Sequence, residues 1–234
     1  MKVLIFIPSY NDGECLAQMT EELVTADQYN TVLVVDDGST PPLKLKFLNE
    51  RIKLFRIPFN AGIGVATNIA LDFGKKNNFD FFVRLDADGQ HNTDYVKEII
   101  NKLMLENANI CIGERSNHEN MNTLRGTAAV ILKRHLKLIS NSVSGGSLRD
   151  WNTGIFGLDS HGMKILSRYQ YDKYPEIEIY LRAHKENLVI SCHEVSQLSR
   201  ISGKSTLTFS KSIMLLIRTY LTFVRHIFEG NKNK

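Results

Sequence analysis

Residues 81–91 read Phe81-Phe82-Val83-Arg84-Leu85-Asp86-Ala87-Asp88-Gly89-Gln90-His91. The apolar and aromatic first half is typical of a buried strand, and two carboxylates follow where that strand ends. Because residues i and i+2 of a strand point to the same side, Asp86 and Asp88 can reach one hard cation together. Mg²⁺ or Mn²⁺ is usually held by one or two carboxylates, with substrate phosphates completing the shell. Taken alone, the stretch also fits an Asp-rich turn that caps a helix starting near Thr93.

Short apolar runs alternate with helical patterns through the first half of the chain. The predicted strands are residues 2–7, 31–35, 52–57, 79–85 and 108–112. The predicted helices are residues 14–25, 63–76 and 93–105, the last with Thr93 as its N-cap. The strands read as nearly continuous Val, Ile, Leu and Phe, as expected of parallel strands that are buried on both faces. The pattern therefore predicts an α/β fold with a mainly parallel central sheet flanked by helices.

The second half is less regular. Its predicted elements are a basic helix at 123–140, a loop at 141–146, a strand at 155–158, a helix at 175–183, a strand at 188–195 and a basic loop at 199–205. A long helix follows from about residue 207 to 228. We expect residues 1–210 to form one domain and residues 211–234 to form an amphipathic C-terminal helix and tail.

The composition and the cysteine spacing exclude a basic nucleic-acid-binding arm and a cysteine metal site. The chain has 234 residues and a net charge of +4, with no basic run long enough for a nucleic-acid-binding arm. The three cysteines, Cys15, Cys111 and Cys192, lack the spacing of a metal site. We interpret them as reduced structural residues of a cytosolic protein.

Three polar clusters, at residues 9–11, 36–39 and 86–88, each follow a predicted strand. Ligands of open α/β sheets bind beyond the carboxyl ends of the strands, so these clusters predict one shared site. A carboxylate after the second strand suits a ribose hydroxyl or a base N–H, although Asp-Gly is equally typical of a turn. The glycines of residues 60–68 lack the third Gly of a dinucleotide fingerprint and follow the third strand. A helix N-terminus near phosphate remains open for that loop.

Eight motifs occur in order along residues 1–210. Four lie in the first half: Pro8-Ser9-Tyr10-Asn11, Val34-Val35-Asp36-Asp37-Gly38-Ser39, Asn60-Ala61-Gly62 and Leu85-Asp86-Ala87-Asp88-Gly89-Gln90-His91. Four lie further on: Gly113-Glu114-Arg115, Asp150-Trp151-Asn152-Thr153-Gly154-Ile155-Phe156, Tyr174-Pro175-Glu176-Ile177-Glu178 and Arg200-Ile201-Ser202-Gly203-Lys204-Ser205. The first four together resemble the family 2 glycosyltransferases of the GT-A fold. The last four resemble the polyprenyl-phosphate hexose synthase branch, which contains the dolichol-phosphate mannose synthases.

The resemblance implies a nucleotide diphosphate-sugar donor and a divalent metal. It places the donor against Pro8, Ser9, Tyr10, Asn11, Asp36, Asp37, Gly62, Asp86, Ala87 and Asp88. It places Mg²⁺ or Mn²⁺ on Asp86, Asp88 and Gln90. A bound cation stabilises the charge that develops on the departing nucleoside diphosphate.

The resemblance also implies a cationic acceptor site. Its candidates are Arg115, Arg125, Arg200 and Lys204, and it assigns roles in catalysis to Asp86, Asp88, Arg115, Glu176 and Arg200. A lipid phosphate is already a nucleophile and needs positioning by cations, which Arg side chains suit. A sugar hydroxyl would instead need an activating carboxylate, which Asp150, Glu176 or Glu178 could supply. Glu176 and Glu178 are spaced for opposite faces of a helix, so we expect one of them to face the site.

The sequence therefore predicts a metal-dependent, inverting hexosyltransferase with a UDP-sugar as favoured donor and undecaprenyl phosphate or a related lipid as acceptor. A transferase that adds a sugar to a surface polysaccharide or lipid-linked oligosaccharide is the alternative, and a non-catalytic binder of sugar nucleotides is another. We expect a cytoplasmic enzyme at the inner face of the cell membrane, with peripheral membrane contact and no nucleic-acid partner. The C-terminal helix can lie in the membrane interface, pack on the catalytic domain or pair with a second subunit.

Overall fold

The structure, a computed structural model, describes residues 1–12, 16–28, 30–45, 49–87, 93–115, 153–172, 175–195 and residue 221. For Arg115 the structure describes the backbone only. Several predictions lie outside the described residues: Asp88, Gln90, Arg125, Asp150, Arg200, Lys204, the helix at 123–140, the loops at 141–146 and 199–205 and, apart from residue 221, the C-terminal helix. The division of the chain at residue 210 stays a prediction for the same reason.

Seven described strands form one sheet. They are β1 (Val3–Ser9), β2 (Asn30–Asp37), β3 (Ile52–Ile57), β4 (Phe81–Arg84), β5 (Ile110–Arg115), β6 (Phe156–Asp159) and β7 (Ile190–Val195). The described helices are α1 (Leu16–Ala26), α2 (Ile63–Lys76), α3 (Tyr95–Leu105), α4 (Ser160–Leu166) and α5 (Pro175–Lys185). The strand order across the sheet is β3-β2-β1-β4-β6-β5-β7.

One described strand runs against the others. β1 pairs in parallel with β2 and β4, β2 with β3, and β5 with β7, whereas β6 is antiparallel to both β4 and β5. The prediction of a mainly parallel sheet with flanking helices is confirmed. Because β6 is reversed, its first residue, Phe156, pairs with the last residue of β4, Arg84. The segment that enters β6 therefore lies beside the carboxyl end of β4.

Apolar side chains cover both faces of the sheet. Along β1, Leu4 and Phe6 belong to one core cluster, and Ile5 and Ile7 belong to the other. This alternation buries every residue of β1, as expected for a strand at the centre of a sheet. For β3 the prediction of burial on both faces is wrong. Four consecutive residues of β3 are exposed because β3 is an outermost strand of the described sheet.

The start of α3 also differs from the prediction. The helix begins at Tyr95 with Asp94 as its N-cap, and the Asp94 side chain makes no capping hydrogen bond to the helix. Thr93 belongs to the preceding turn, where its carbonyl oxygen accepts a hydrogen bond from the Val96 N–H at 3.3 Å. Thr93 as the N-cap is therefore wrong. Asp94 has a helical backbone conformation, so the turn that begins at Thr93 continues directly into the helix and the cap lies one residue later than predicted.

Asp36 connects the end of β2 to β3 and to the loop between them. Its Oδ1 accepts the Ser39 N–H at 2.9 Å, and its Oδ2 accepts the Leu43 N–H at 3.2 Å and Arg56 Nη1 at 2.7 Å. Burial disfavours the charged carboxylate, but hydrogen bonds from Ser39 and Leu43 and the charge of Arg56 outweigh that effect and lower the pKa of Asp36. The ionised form of Asp36 therefore stabilises this corner of the fold.

The lowered pKa of Asp36 predicts an acid-sensitive contribution to folding. A carboxyl group with a lower pKa in the folded state stabilises the fold above its unfolded value of 3.8, and the contribution is lost as the pH falls through the folded value. We expect Asp36→Asn to lower Tm at pH 7 and to differ less from the wild type as the pH falls from about 4 to 3. Thermal unfolding across this range measures the effect, with Asp72→Asn on the exposed face of α2 as the control. An unchanged difference in Tm at all pH values would contradict this role.

Candidate active site

The described residues of the three polar clusters lie at one edge of the sheet, which is formed by the carboxyl ends of its parallel strands. In the strand register, Ser9 at the end of β1 lies beside Asp36 in β2, and Phe6 lies beside Arg84 at the end of β4. The backbone of Arg115 ends β5, which runs in the same direction as β4 on the far side of β6. This edge therefore brings together the described parts of the predicted donor and acceptor regions.

The loops after β1 and β2 are bonded to each other. The Asn11 N–H donates to Ser39 Oγ at 2.9 Å, and the Thr40 N–H donates to Asn11 Oδ1 at 2.9 Å. Ser9 Oγ is buried and has no hydrogen-bond partner among the described residues. Tyr10 beside it is 47% exposed. This corner of the edge thus combines a fixed backbone and an exposed aromatic ring, with the Ser9 hydroxyl buried beneath them.

Asp37 holds the loop that precedes α2. Its Oδ1 accepts the Ala61 N–H at 2.7 Å, and its Oδ2 accepts the Gly62 N–H at 2.9 Å. Gly62 has φ 99°, a conformation that glycine adopts without steric cost. Both predicted nucleotide ligands, Asp36 and Asp37, therefore accept hydrogen bonds from the chain itself and shape the edge. Their contact with a nucleotide stays a prediction.

Arg84 is a buried cation that the sequence analysis missed. Its side chain is 2% exposed, and its Nη2 lies 3.2 Å from Asp86 Oδ1 while its Nη1 lies 2.7 Å from Glu176 Oε1. Its guanidinium carbon lies 6.0 Å from the centre of the Phe156 ring. Burial disfavours the charge of Arg84, but the carboxylates of Glu176 and Asp86 outweigh this and raise the pKa of Arg84. The period of two that aligns Asp86 with Asp88 also places Arg84 on their side and could have identified it.

Asp86 lies at the surface end of this group. Its side chain is 33% exposed, and it follows directly after the buried end of β4. A Cβ atom added to Gly154 would lie 2.0 Å from Asp86 Oδ2, so only the absence of a side chain at Gly154 leaves room for the carboxylate. The reversed direction of β6 brings Gly154 to this position.

Helix α5 supplies the second carboxylate. Glu176 lies in its first turn, is buried and contacts Arg84, whereas Glu178 is less buried and lies near Tyr171. Burial first, and then the negative charge of Glu178, raise the pKa of Tyr171. The Tyr180 hydroxyl donates to the Thr153 carbonyl oxygen at 3.1 Å, which ties the same helix to the segment that precedes β6. Glu176 is therefore the glutamate that faces Asp86 and Arg84.

The described residues fit part of a divalent-cation site. No group of three or more His, Cys, Asp or Glu side chains suited to a metal occurs within the described ranges. Asp86 provides a partly exposed carboxylate, and hard cations such as Mg²⁺ need only one or two protein carboxylates when waters and substrate phosphates complete the shell. Asp86 thus has the chemistry and exposure of a metal ligand, and Asp88 and Gln90 follow it directly in the chain.

The structure also describes two of the three cysteines and the apolarity of the helices. Cys111 is buried, Cys192 is partly buried and neither forms a disulfide within the described part of the chain, while Cys15 lies outside it. Burial raises the pKa of Cys111 to about 11, so its thiol stays protonated at neutral pH. None of the helices in the described part of the chain combines the length and apolarity needed to span a bilayer.

Curated relatives with similar sequences include lipid-phosphate glycosyltransferases. The chain is 22% identical to the UDP-N-acetylglucosamine–dolichyl-phosphate N-acetylglucosaminyltransferase of Methanococcus voltae, over 80% of this chain and 82% of the relative. It is 29% identical to the polyprenol monophosphomannose synthase of Mycolicibacterium smegmatis, over 49% of this chain and 45% of the relative. The predicted resemblance to the polyprenyl-phosphate branch is thereby confirmed.

A solved structure shares the fold. Glucosyl-3-phosphoglycerate synthase from Mycobacterium tuberculosis, in complex with Mn²⁺, UDP and glucosyl-3-phosphoglycerate, superimposes with a TM-score of 0.73. The match covers 96% of this chain and 79% of that chain at 12% sequence identity. At this identity the similarity is one of fold, and it confirms the predicted GT-A architecture.

The family model for glycosyl transferase family 2 matches residues 4–175, which is well over half of the chain. The matched region contains β1 to β6 and the group formed by Asp86, Arg84 and Gly154. The chain therefore belongs to glycosyl transferase family 2 and is a glycosyltransferase.

Proposed function

We propose that this enzyme transfers a hexose from a UDP-sugar to a polyprenyl phosphate, with inversion and with the help of a divalent metal. The observation that carries the proposal is the partly exposed carboxylate of Asp86 at the sheet edge, held beside Gly154 and paired with a buried arginine. A ligand that crosses this edge would meet the loops after β1, β2 and β3 together with Asp86.

The donor assignment rests on the shape of this edge and on the relatives. The proposed donor contacts are Pro8, Ser9, Tyr10, Asn11, Asp36, Asp37, Gly62, Asp86, Ala87 and Asp88. The exposed ring of Tyr10 and the backbone around it suit a base or a ribose. The name of the M. voltae relative specifies a UDP-sugar, and the M. tuberculosis structure contains UDP. These support UDP as the nucleotide.

Asp86, Asp88 and Gln90 would hold the metal, Mg²⁺ or Mn²⁺. When bound, a divalent cation neutralises charge on the nucleoside diphosphate as it departs from the sugar. Asp86 contributes a carboxylate whose position is fixed by Arg84 on one side and by the backbone at Gly154 on the other. Such preorganisation means that little rearrangement is needed when charge develops.

The acceptor assignment rests on the relatives, whose names specify dolichyl phosphate and polyprenol monophosphomannose, and on the contact between Glu176 and Arg84. A hydroxyl acceptor needs a carboxylate that takes up its proton. If Glu176 took up that proton, the buried charge of Arg84 would keep Asp86 as its one charged partner within the described residues, which is costly in a buried environment. A polyprenyl phosphate needs no such base, and the pairing with Arg84 argues against Glu176 as the base for a hydroxyl acceptor.

Cations would position the acceptor phosphate, and the proposed set is Arg115, Arg125, Arg200 and Lys204. The backbone of Arg115 lies at the same edge of the sheet as Asp86, which is consistent with an acceptor on that side. Because a polyprenyl phosphate is a membrane lipid, we propose that the enzyme works at the cytoplasmic surface of the membrane, where peripheral contact would present the acceptor to this edge.

Replacing the Asp86 carboxylate should remove turnover without unfolding the enzyme. We expect Asp86→Asn to reduce kcat by about 10²–10³-fold, because the amide keeps the shape of the side chain but loses its charge. Gly154→Ala should also reduce kcat, since the new methyl group would displace the carboxylate. Steady-state kinetics and thermal unfolding measure both effects, with Asp72→Asn as the control. Wild-type turnover in both variants would contradict the assignment of Asp86.

A transfer assay tests donor and acceptor together. The purified chain is incubated with radiolabelled UDP-glucose, UDP-N-acetylglucosamine or GDP-mannose, with undecaprenyl phosphate or a polysaccharide or oligosaccharide as acceptor, and with Mn²⁺, Mg²⁺ or EDTA. We expect metal-dependent transfer of label from a UDP-sugar to the organic phase as an acid-labile lipid phosphate ester. Label that moves only to a polysaccharide or oligosaccharide acceptor would contradict the phosphate acceptor. Equal transfer in EDTA would contradict the metal.

A further inference from the structure

We infer that Glu176 is a positioning residue: it supplies the counter-charge for buried Arg84 and so leaves the Asp86 carboxylate available to a divalent cation. This inference rests on the proposed function, because it takes Asp86 to be the metal ligand. It assigns Glu176 a role through Arg84, in place of the general-base role that a hydroxyl acceptor would require.

The guanidinium of Arg84 is shared between two carboxylates. One terminal nitrogen lies 2.7 Å from Glu176 Oε1, and the other lies 3.2 Å from Asp86 Oδ1. The shorter contact is made to Glu176, whose side chain is 10% exposed, and the longer contact is made to Asp86, whose side chain is 33% exposed. The contact to Asp86 has hydrogen-bond geometry, and the close contact to Glu176 places a buried negative charge directly beside the guanidinium.

This division matters because Arg84 and a metal would compete for Asp86. Both are cations, and both gain energy from the same carboxylate. With Glu176 present, one negative charge balances Arg84 and the charge of Asp86 remains for the metal. Without the charge of Glu176, the buried guanidinium would depend on Asp86 alone, and a metal would have to displace it from that carboxylate.

The position of Glu176 in the fold suits this role. It lies in the first turn of α5, where the helix dipole stabilises a negative charge. The same helix has a second, uncharged connection to the site, the hydrogen bond from Tyr180 to the Thr153 carbonyl oxygen next to Gly154. The two connections allow the charge of Glu176 to be tested separately from the anchoring of α5.

The test compares Mn²⁺ binding in Glu176→Gln and Tyr180→Phe. Calorimetric titration of Mn²⁺ in the presence of UDP gives the dissociation constant, and thermal unfolding reports on the fold. We expect Glu176→Gln to raise the Kd for Mn²⁺ about tenfold and added Mn²⁺ to recover most of the lost turnover. Tyr180→Phe should change the Kd less than about twofold, because it removes a hydrogen bond and no charge.

A double variant, Arg84→Met with Glu176→Gln, removes the competing cation together with its counter-charge. Replacing a buried ion pair with side chains of similar volume is often tolerated. We expect the Kd for Mn²⁺ to return to within about threefold of wild type, a readout that holds even if the single variant does not fold. A double variant that binds Mn²⁺ as weakly as Glu176→Gln, or more weakly, would overturn the inference.

The general-base role predicts the opposite pattern. Glu176→Gln would then leave the Kd for Mn²⁺ unchanged and reduce turnover about 10²–10⁴-fold at saturating Mn²⁺, which would also overturn the inference. Mn²⁺ titration of Asp86→Asn separates this failure from that of the proposed function. If Asp86→Asn abolishes Mn²⁺ binding while Glu176→Gln does not change it, only the inference fails. If Asp86→Asn also binds normally, the proposed metal site fails.

Discussion

A positive charge buried at the end of β4 is the constraint on which the described site depends. An isolated guanidinium is costly to remove from water, so Arg84 is compatible with the fold only because two carboxylates and the face of Phe156 surround it. Meeting this requirement ties the strand that carries Asp86 to the helix that carries Glu176. Structural stability and the position of the proposed metal ligand thus have the same physical cause.

The reversed strand β6 makes the arrangement possible. A parallel strand beside β4 would present its carboxyl end at the edge of the sheet, whereas the antiparallel β6 presents its beginning. Gly154 and Thr153 therefore lie beside Asp86 and α5, respectively, and a glycine is required where the Asp86 carboxylate approaches the backbone. On the other side of β1, Asp36 and Asp37 fix the loops that frame the edge.

The sequence predicted those features that depend on local patterns. Continuous apolar runs located β1, β2 and β4, and the rule that ligands bind beyond the carboxyl ends of strands located the site. The exposure of β3 was missed although the strand contains Lys53 and Arg56, whose charged side chains are typical of edge strands, because the prediction gave more weight to the apolar residues between them. The contact between Glu176 and Arg84 was also not predictable, because the two residues are far apart in the chain and spacing within one helix does not identify a partner on a strand. The period of two that selected Asp86 also selects Arg84. Arg84 was nevertheless not predicted as a site residue, because it lies between apolar residues of a buried strand.

In the arrangement proposed above, Asp86 ligates a divalent cation while Arg84 remains paired with Glu176. Diffraction from crystals grown with UDP and Mn²⁺, recorded with anomalous scattering from manganese, locates the ion directly. We expect an anomalous peak at coordination distance from an Asp86 oxygen, with the Arg84–Glu176 contact retained. A manganese ion bound elsewhere, or an Asp86 carboxylate turned fully onto Arg84 in the loaded enzyme, would contradict it.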